Sequence, residues 1–147
     1  TFDTVPPEVE GTVDRVLLIR ALHNLNRFQQ KAGTRSQALA ATHAMLKQDG
    51  LVGVVQHRAP ATASEEWADG NKGYLNEVAV IAMFAEAGFA LVAQSEINAN
   101  PMDQPSGEDN VWQLPPSLRG NNDDEQRDAM VAIGESDRMT LLFRKAP

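Results

Sequence analysis

The 147-residue chain contains no cysteine. That absence excludes disulfides, thiolate zinc sites and thiol nucleophiles together, and it leaves the compartment open, because exported and cytosolic proteins can both lack cysteine. No apolar run approaches the length of a membrane-spanning helix, and the N-terminus has neither a basic n-region nor an apolar h-region. Thirteen basic residues stand against twenty acidic ones, a formal net charge of −7, and the Lys and Arg residues do not cluster. Such a surface repels a phosphate backbone, so no nucleic-acid partner is expected. Ten glycines are present, yet none belongs to a GxGxG run, so no phosphate or nucleoside cradle is written in this chain. No His-x-His or His-x-x-x-His spacing occurs, and the scattered His23, His57 and Glu96 are not read as a metal site. Ser136 lacks the G-x-S-x-G setting of a hydrolase nucleophile.

What is present suits one moderate core. The apolar fraction is 42% and the charged fraction 22%, close to the average of soluble proteins. Because the chain begins with Thr1 rather than Met, residues are expected to precede it, as after processing, cleavage or truncation. The first residues, with Pro6, Pro7 and Gly11, read as a connecting loop. Val13–Ile19, VDRVLLI, is apolar enough for a central strand covered on both faces of a parallel sheet. Residues 36–47 place Leu39, Thr42, Met45 and Leu46 on one helical stripe, with Asp49-Gly50 as the stop, and 51–57 form a second strand. Residues 74–87 put Leu75, Val78, Ala82 and Ala85 on one helix face, widened by Ile81 and Phe84 and closed by Gly88. A third strand spans 89–97. The polar, proline-rich 98–128 reads as a long loop excursion, and Arg138–Lys145 as a terminal strand.

The order strand, helix, strand, helix, strand, strand resembles the second half of the class I S-adenosylmethionine-dependent methyltransferase fold. VDRVLLIRALHNL is similar to its fourth strand and exit, AMLKQDGLVGVVQHRAP to the helix, turn and fifth strand, and FALVAQSEI with RMTLLFRK to strands six and seven. The turn, Lys47-Gln48-Asp49-Gly50, departs from the Lys-Pro-Gly-Gly of many relatives. RALHN, VVQHRAP, SEINANP, WQLPPSL and IGESDRMTL together resemble a subgroup of bacterial methyltransferases, several of which carry an export signal. The resemblance implies an α/β, Rossmann-like single partial domain over 1–147, with strands 4, 5, 6 and 7 and the last antiparallel. It implies S-adenosylmethionine as cofactor, an intact parent enzyme with an acceptor the sequence does not name, and a fragment inactive alone. Its Gly-rich loop and the acidic residue after the second strand are absent here. The alternative is a non-catalytic binding domain on a degenerate copy of the fold. Export signals point to the bacterial envelope or periplasm, the cytosolic origin of adenosylmethionine to the cytoplasm.

Ligands of open α/β sheets bind at the carboxyl ends of parallel strands, here after Ile19 and Val55. His57, Arg58 and His23 are the candidate catalytic residues there, as a general base and a cationic clamp for an acidic substrate. Arg20 and Asn24 are assigned to the cofactor side. For His23 a purely backbone-capping role weighs equally, Arg58 has the plainer reading of an ion pair with a surface carboxylate, and His43 reads as structural. Glu96, Asn98, Asn100 and Trp112 are candidate substrate contacts, against plainer readings as turn chemistry and a buried loop anchor. Glu135, Asp137 and Arg138 read as a structural ion-pair network. A small-molecule substrate is the expected partner. If β-strand 13–19 normally pairs with a missing half, its edge is expected to be covered by that half, by rearranged N-terminal residues or by self-association.

Overall fold

The computed structural model describes residues 4–121 and 123–147. Four strands, β1 (Val13–Ile19), β2 (Leu46–His57), β3 (Phe89–Ser95) and β4 (Arg138–Lys145), form one sheet in the order β1-β2-β4-β3. The pair β1–β2 is parallel, and β4 runs antiparallel to both neighbours. Inserting the last strand between the second and third gives the expected α/β arrangement with its reversed final strand.

Short helices α1 (Leu22–Asn26) and α2 (Gln29–Ala32) lead into α3 (Thr34–Met45), and α4 (Glu77–Glu86) joins β2 to β3. One sheet face carries the main core. Val52, Val54, Met139, Leu141 and Phe143 meet Leu22, Leu39, Val80 and Phe84 there. Phe84 stacks on Phe143 with ring centroids 4.1 Å apart. Burying aromatic and aliphatic side chains at about 25 cal/mol per Å² makes this face the main source of stability.

Several sequence expectations change. Strand β1 is an edge strand, and only one of its faces is covered among the described residues: Val16 and Leu18 face the core, while Leu17 is 68% exposed and Ile19 is also exposed. Helix α3 ends at Met45, before the expected Asp49-Gly50 stop. Lys47 to Gly50 instead belong to β2, where the register jumps from Val13↔Leu46 to Arg15↔Leu51. Gly50 is needed there because a Cβ would lie 2.6 Å from Leu46 Cγ. In α4 the buried face carries Val80 and Phe84, whereas Val78, Ala82 and Ala85 are exposed and Leu75 precedes the helix. Asn76 caps α4 by accepting from the Val78 and Ala79 amides. Gly88 follows α4 with φ of 84°, as expected of a helix-ending glycine. The 98–128 stretch is not wholly irregular: a single 3-10 turn forms at Val111–Gln113, and α5 (Asp124–Ile133) begins within it.

Candidate functional site

The carboxyl ends of β1 and β2 lie side by side, held by one amide. Gln56, fully buried, donates from Nε2 to the carbonyls of Gly73 at 2.8 Å and His57 at 3.2 Å. Those two acceptors fix its orientation, so Oε1 faces β1 and accepts both the His23 amide and His23 Nδ1, each at 3.2 Å. An amide oxygen only accepts; His23 Nδ1 therefore carries the proton and Nε2 presents a lone pair. Burial and the Arg27 charge both press the His23 pKa downward, outweighing the Gln56 bond.

His57 is the second imidazole, 5.6 Å from His23 between ring centroids. Its Nδ1 lies 2.6 Å from Ser136 Oγ. Burial first, then the cost of adding a second charge beside His23, and then the charges of Arg138 and Arg20 push its pKa down to about 3, so the ring is neutral at pH 7. Both rings are buried, with exposures of 4% and 7%. The half-buried Trp112 lies roughly perpendicular to His23 with ring centroids 6.0 Å apart, and Tyr74 to His57 with centroids 6.3 Å apart. Gly70 closes over the other side: a Cβ there would meet the His23 carbonyl oxygen at 2.6 Å.

The strand-end turn is unusual at Arg20, whose φ of 51° places a non-glycine residue in the left-handed region. Its amide still bonds Val55 O at 2.7 Å, continuing the β1–β2 ladder. The side chains of Arg20 and Asn24 are exposed, and neither makes a side-chain hydrogen bond or ion pair with the described residues. These two free polar groups fit one edge of a cofactor site at a parallel strand end. They do not make a whole one, because the nearby Gly70 and Gly73 are packed against protein rather than open to a ligand.

Arg58 is placed as expected, immediately after His57, but it is not a free clamp. Its Nε and Nη2 bond both oxygens of Asp137, its Nη1 and Nη2 both oxygens of Glu96, and Nη1 also Glu77, over 2.6–3.1 Å. All five N–H groups of the guanidinium are thereby used. The three carboxylates, Asp137 foremost, hold its pKa far above the usual arginine value. Arg58 thus ties the end of β2 to the starts of α4 and β4 and the end of β3.

Glu96, Asn98 and Asn100 are likewise engaged internally. Asn98 Nδ2 donates to Thr140 Oγ1, and Asn100 Nδ2 donates to the carbonyls of Ile133 and Glu135 while its amide donates to Asp137 Oδ1. They dock the β3 exit onto β4. Arg138 pairs with Glu135, as the ion-pair reading expects, and its buried Nε has no hydrogen-bond partner among the described residues. Sequence reasoning gave no role to Gln56, Tyr74 or Asp103. Tyr74, the chain's one tyrosine, donates to Asp103, and Asp103 Oδ2 also accepts the Asp137 amide at 2.8 Å. Only the position of Gln56, between Val55 and His57 at a strand end, was a usable signal. Among the described residues no group of His, Asp and Glu is arranged to hold a metal ion.

No family profile matches the chain, and no curated protein matches it by sequence. Solved structures do match in fold. The 1,6-didemethyltoxoflavin-N1-methyltransferase of Burkholderia thailandensis, solved with 1,6-didemethyltoxoflavin and S-adenosylhomocysteine, has a TM-score of 0.53 at 14% identity. The match covers 99% of this chain and 48% of that one. The [4+2]-cyclase SpnF matches at a TM-score of 0.57 and 14% identity, over 97% of this chain and 53% of its own. The mitomycin 7-O-methyltransferase MmcR matches at 0.53 and 13%, over 99% and 32%. The fold is that of the class I S-adenosylmethionine-dependent methyltransferases, and the chain spans 48%, 53% and 32% of the length of these three neighbours. No helix is long and apolar enough to cross a membrane among the described residues.

Proposed function

We propose that this chain is the acceptor-side half of an S-adenosylmethionine-dependent methyltransferase. The observation that carries the reading is the pair of neutral imidazoles at the adjoining carboxyl ends of β1 and β2, within a sheet ordered β1-β2-β4-β3. The bound cofactor would supply an electrophilic methyl group. His23, with Nδ1 protonated against Gln56, accepts at Nε2 the proton that an acceptor O–H or N–H loses. His57, neutral and braced by Ser136, keeps that end of the site free of a competing positive charge. Arg20 and Asn24 meet the polar part of the cofactor, and Trp112 forms a wall beside His23. Arg58, Glu96, Asn98 and Asn100 position the strand ends and contact no reactant.

The same fold is also found in SpnF, a [4+2]-cyclase, and in LepI, solved in complex with SAM. Cofactor binding without methyl transfer is therefore the second reading. The bare outer edge of β1 and its exposed Leu17 and Ile19 favour cover by further sequence of the same polypeptide or by a second copy. Thermal denaturation of the longest natural form of the polypeptide, with and without adenosylmethionine, tests the cofactor. Saturating ligand at about 100 times Kd contributes about 2.7 kcal/mol, a rise of several degrees. No stabilisation at millimolar ligand sinks both readings.

A further inference from the structure

A cavity that neither imidazole lines opens at the hydroxyl end of Tyr74. The Tyr74 and His57 rings meet at 70° with centroids 6.3 Å apart, and the Tyr74 hydroxyl donates to Asp103, where a cavity of about 110 Å³ opens between the 102–114 segment and α5. Met102, Leu114, Met130 and Ile133 give it apolar walls, and among the described residues its only charged lining groups are Asp103 and Asp109.

Neither carboxylate has a cationic partner among the described residues. Asp103 is 6% exposed. Its Oδ1 accepts only the shared Tyr74 hydroxyl, at 3.2 Å, which leaves acceptor capacity unused. Asp109 accepts from Ser106 at Oδ2, and its Oδ1 has no partner among the described residues. Burial pushes the Asp103 carboxyl up from its ordinary value; the bonds from the Asp137 amide and Tyr74 oppose that shift, and the Asp137 and Asp109 charges add to it. A bound cation would relieve that penalty.

We propose that this cavity binds a protonated aliphatic amine, its ammonium group donating to Asp103 and Asp109 and its short alkyl stem lying against Leu114, Met130 and Ile133. The volume suits about four non-hydrogen atoms, between one water at about 30 Å³ and benzene in roughly 150 Å³. The site does not depend on methyl transfer: it uses the hydroxyl end of Tyr74, and its ligand is recognised by charge and alkyl length.

The test is a titration of the chain, isotopically labelled, with propylammonium, 1-propanol and propionate over one concentration range, followed by NMR. Propylammonium is expected to shift the Leu114 and Ile133 methyl signals saturably, and the neutral and anionic matches are not. Asp103→Asn is expected to weaken propylammonium by about tenfold or more, as loss of a charge-assisted bond implies. Asp109 is exposed, so Asp109→Asn should fold normally, and it too is expected to weaken binding. Equal binding of 1-propanol would make the cavity merely apolar and overturn the proposal. So would the absence of any saturable shift, or unchanged propylammonium binding in Asp109→Asn.

Discussion

Replacing Arg58 with Met keeps most of the side-chain stem and removes the guanidinium that gathers Asp137, Glu96 and Glu77. Arg58, Asp137 and Glu77 have side-chain exposures of 19%, 20% and 24%, whereas Glu96 is 64% exposed. Breaking a buried ion pair by deleting one partner costs about 3–5 kcal/mol, because the remaining charge stays desolvated. The Glu96 arm, mostly in water, belongs with exposed pairs worth up to about 1 kcal/mol. Asp137 keeps the Asn100 amide and Glu77 keeps Gln94, which softens the loss. The expected total is therefore about 3 kcal/mol, at the low end of the buried-pair range. For a chain of this size that corresponds to a fall in Tm of about 6–12 °C. Urea denaturation and calorimetry of Arg58→Met should show it, with Lys47→Met, which breaks the exposed Lys47–Asp14 pair, as the control. A shift no larger than that of Lys47→Met would refute the assignment of Arg58 as the tie between four elements.

Stability in acid should depend on His57. Its folded pKa of about 3 lies below the unfolded value of 6.5, so the unfolded chain binds the extra proton between those limits. Stability is therefore full above pH 6.5 and falls as pH drops toward 3. At pH 5 the loss from this ring is about 2 kcal/mol, which His57→Asn should remove, and equal urea midpoint changes from pH 7 to pH 5 in both proteins would contradict it. The bare β1 edge predicts that the chain alone self-associates at micromolar concentration and that Leu17→Lys shifts it toward monomer by light scattering. A wild-type chain that is monomeric across that range counts against the edge as a contact surface.

Strands were the most legible elements. VLLI, LVGVV and TLLF are dense in leucine and β-branched residues and lie where the sequence places them. Helix α4 shows why the stripe was misread. Residues 78–85, VAVIAMFA, are apolar all round, so periodicity cannot choose the face, and packing of Phe84 on Phe143 decides it. Helix α5 has no fully buried residue, and its apolar residues, Met130 and Ile133 on one side, lie only in its second half; its clearest signal was the Asp123 cap followed by Asp124 and Glu125. The strand-end rule located His23, His57 and Arg58. It could not show that Asp137, far along the chain, would arrive beside Arg58, nor that Gln56 would set the His23 tautomer, because those contacts exist only once β4 and the β1 exit are in place.

The central claim is that His23 accepts the proton from a methyl acceptor. Its most direct test is single-turnover methyl transfer by the longest natural form of the polypeptide, wild type against His23→Gln, with adenosylmethionine binding measured on both, once an acceptor has been found by screening small hydroxyl and amine compounds. The account predicts a rate constant lower by about 10²–10⁴-fold with cofactor affinity retained. An unchanged rate constant in His23→Gln would contradict it.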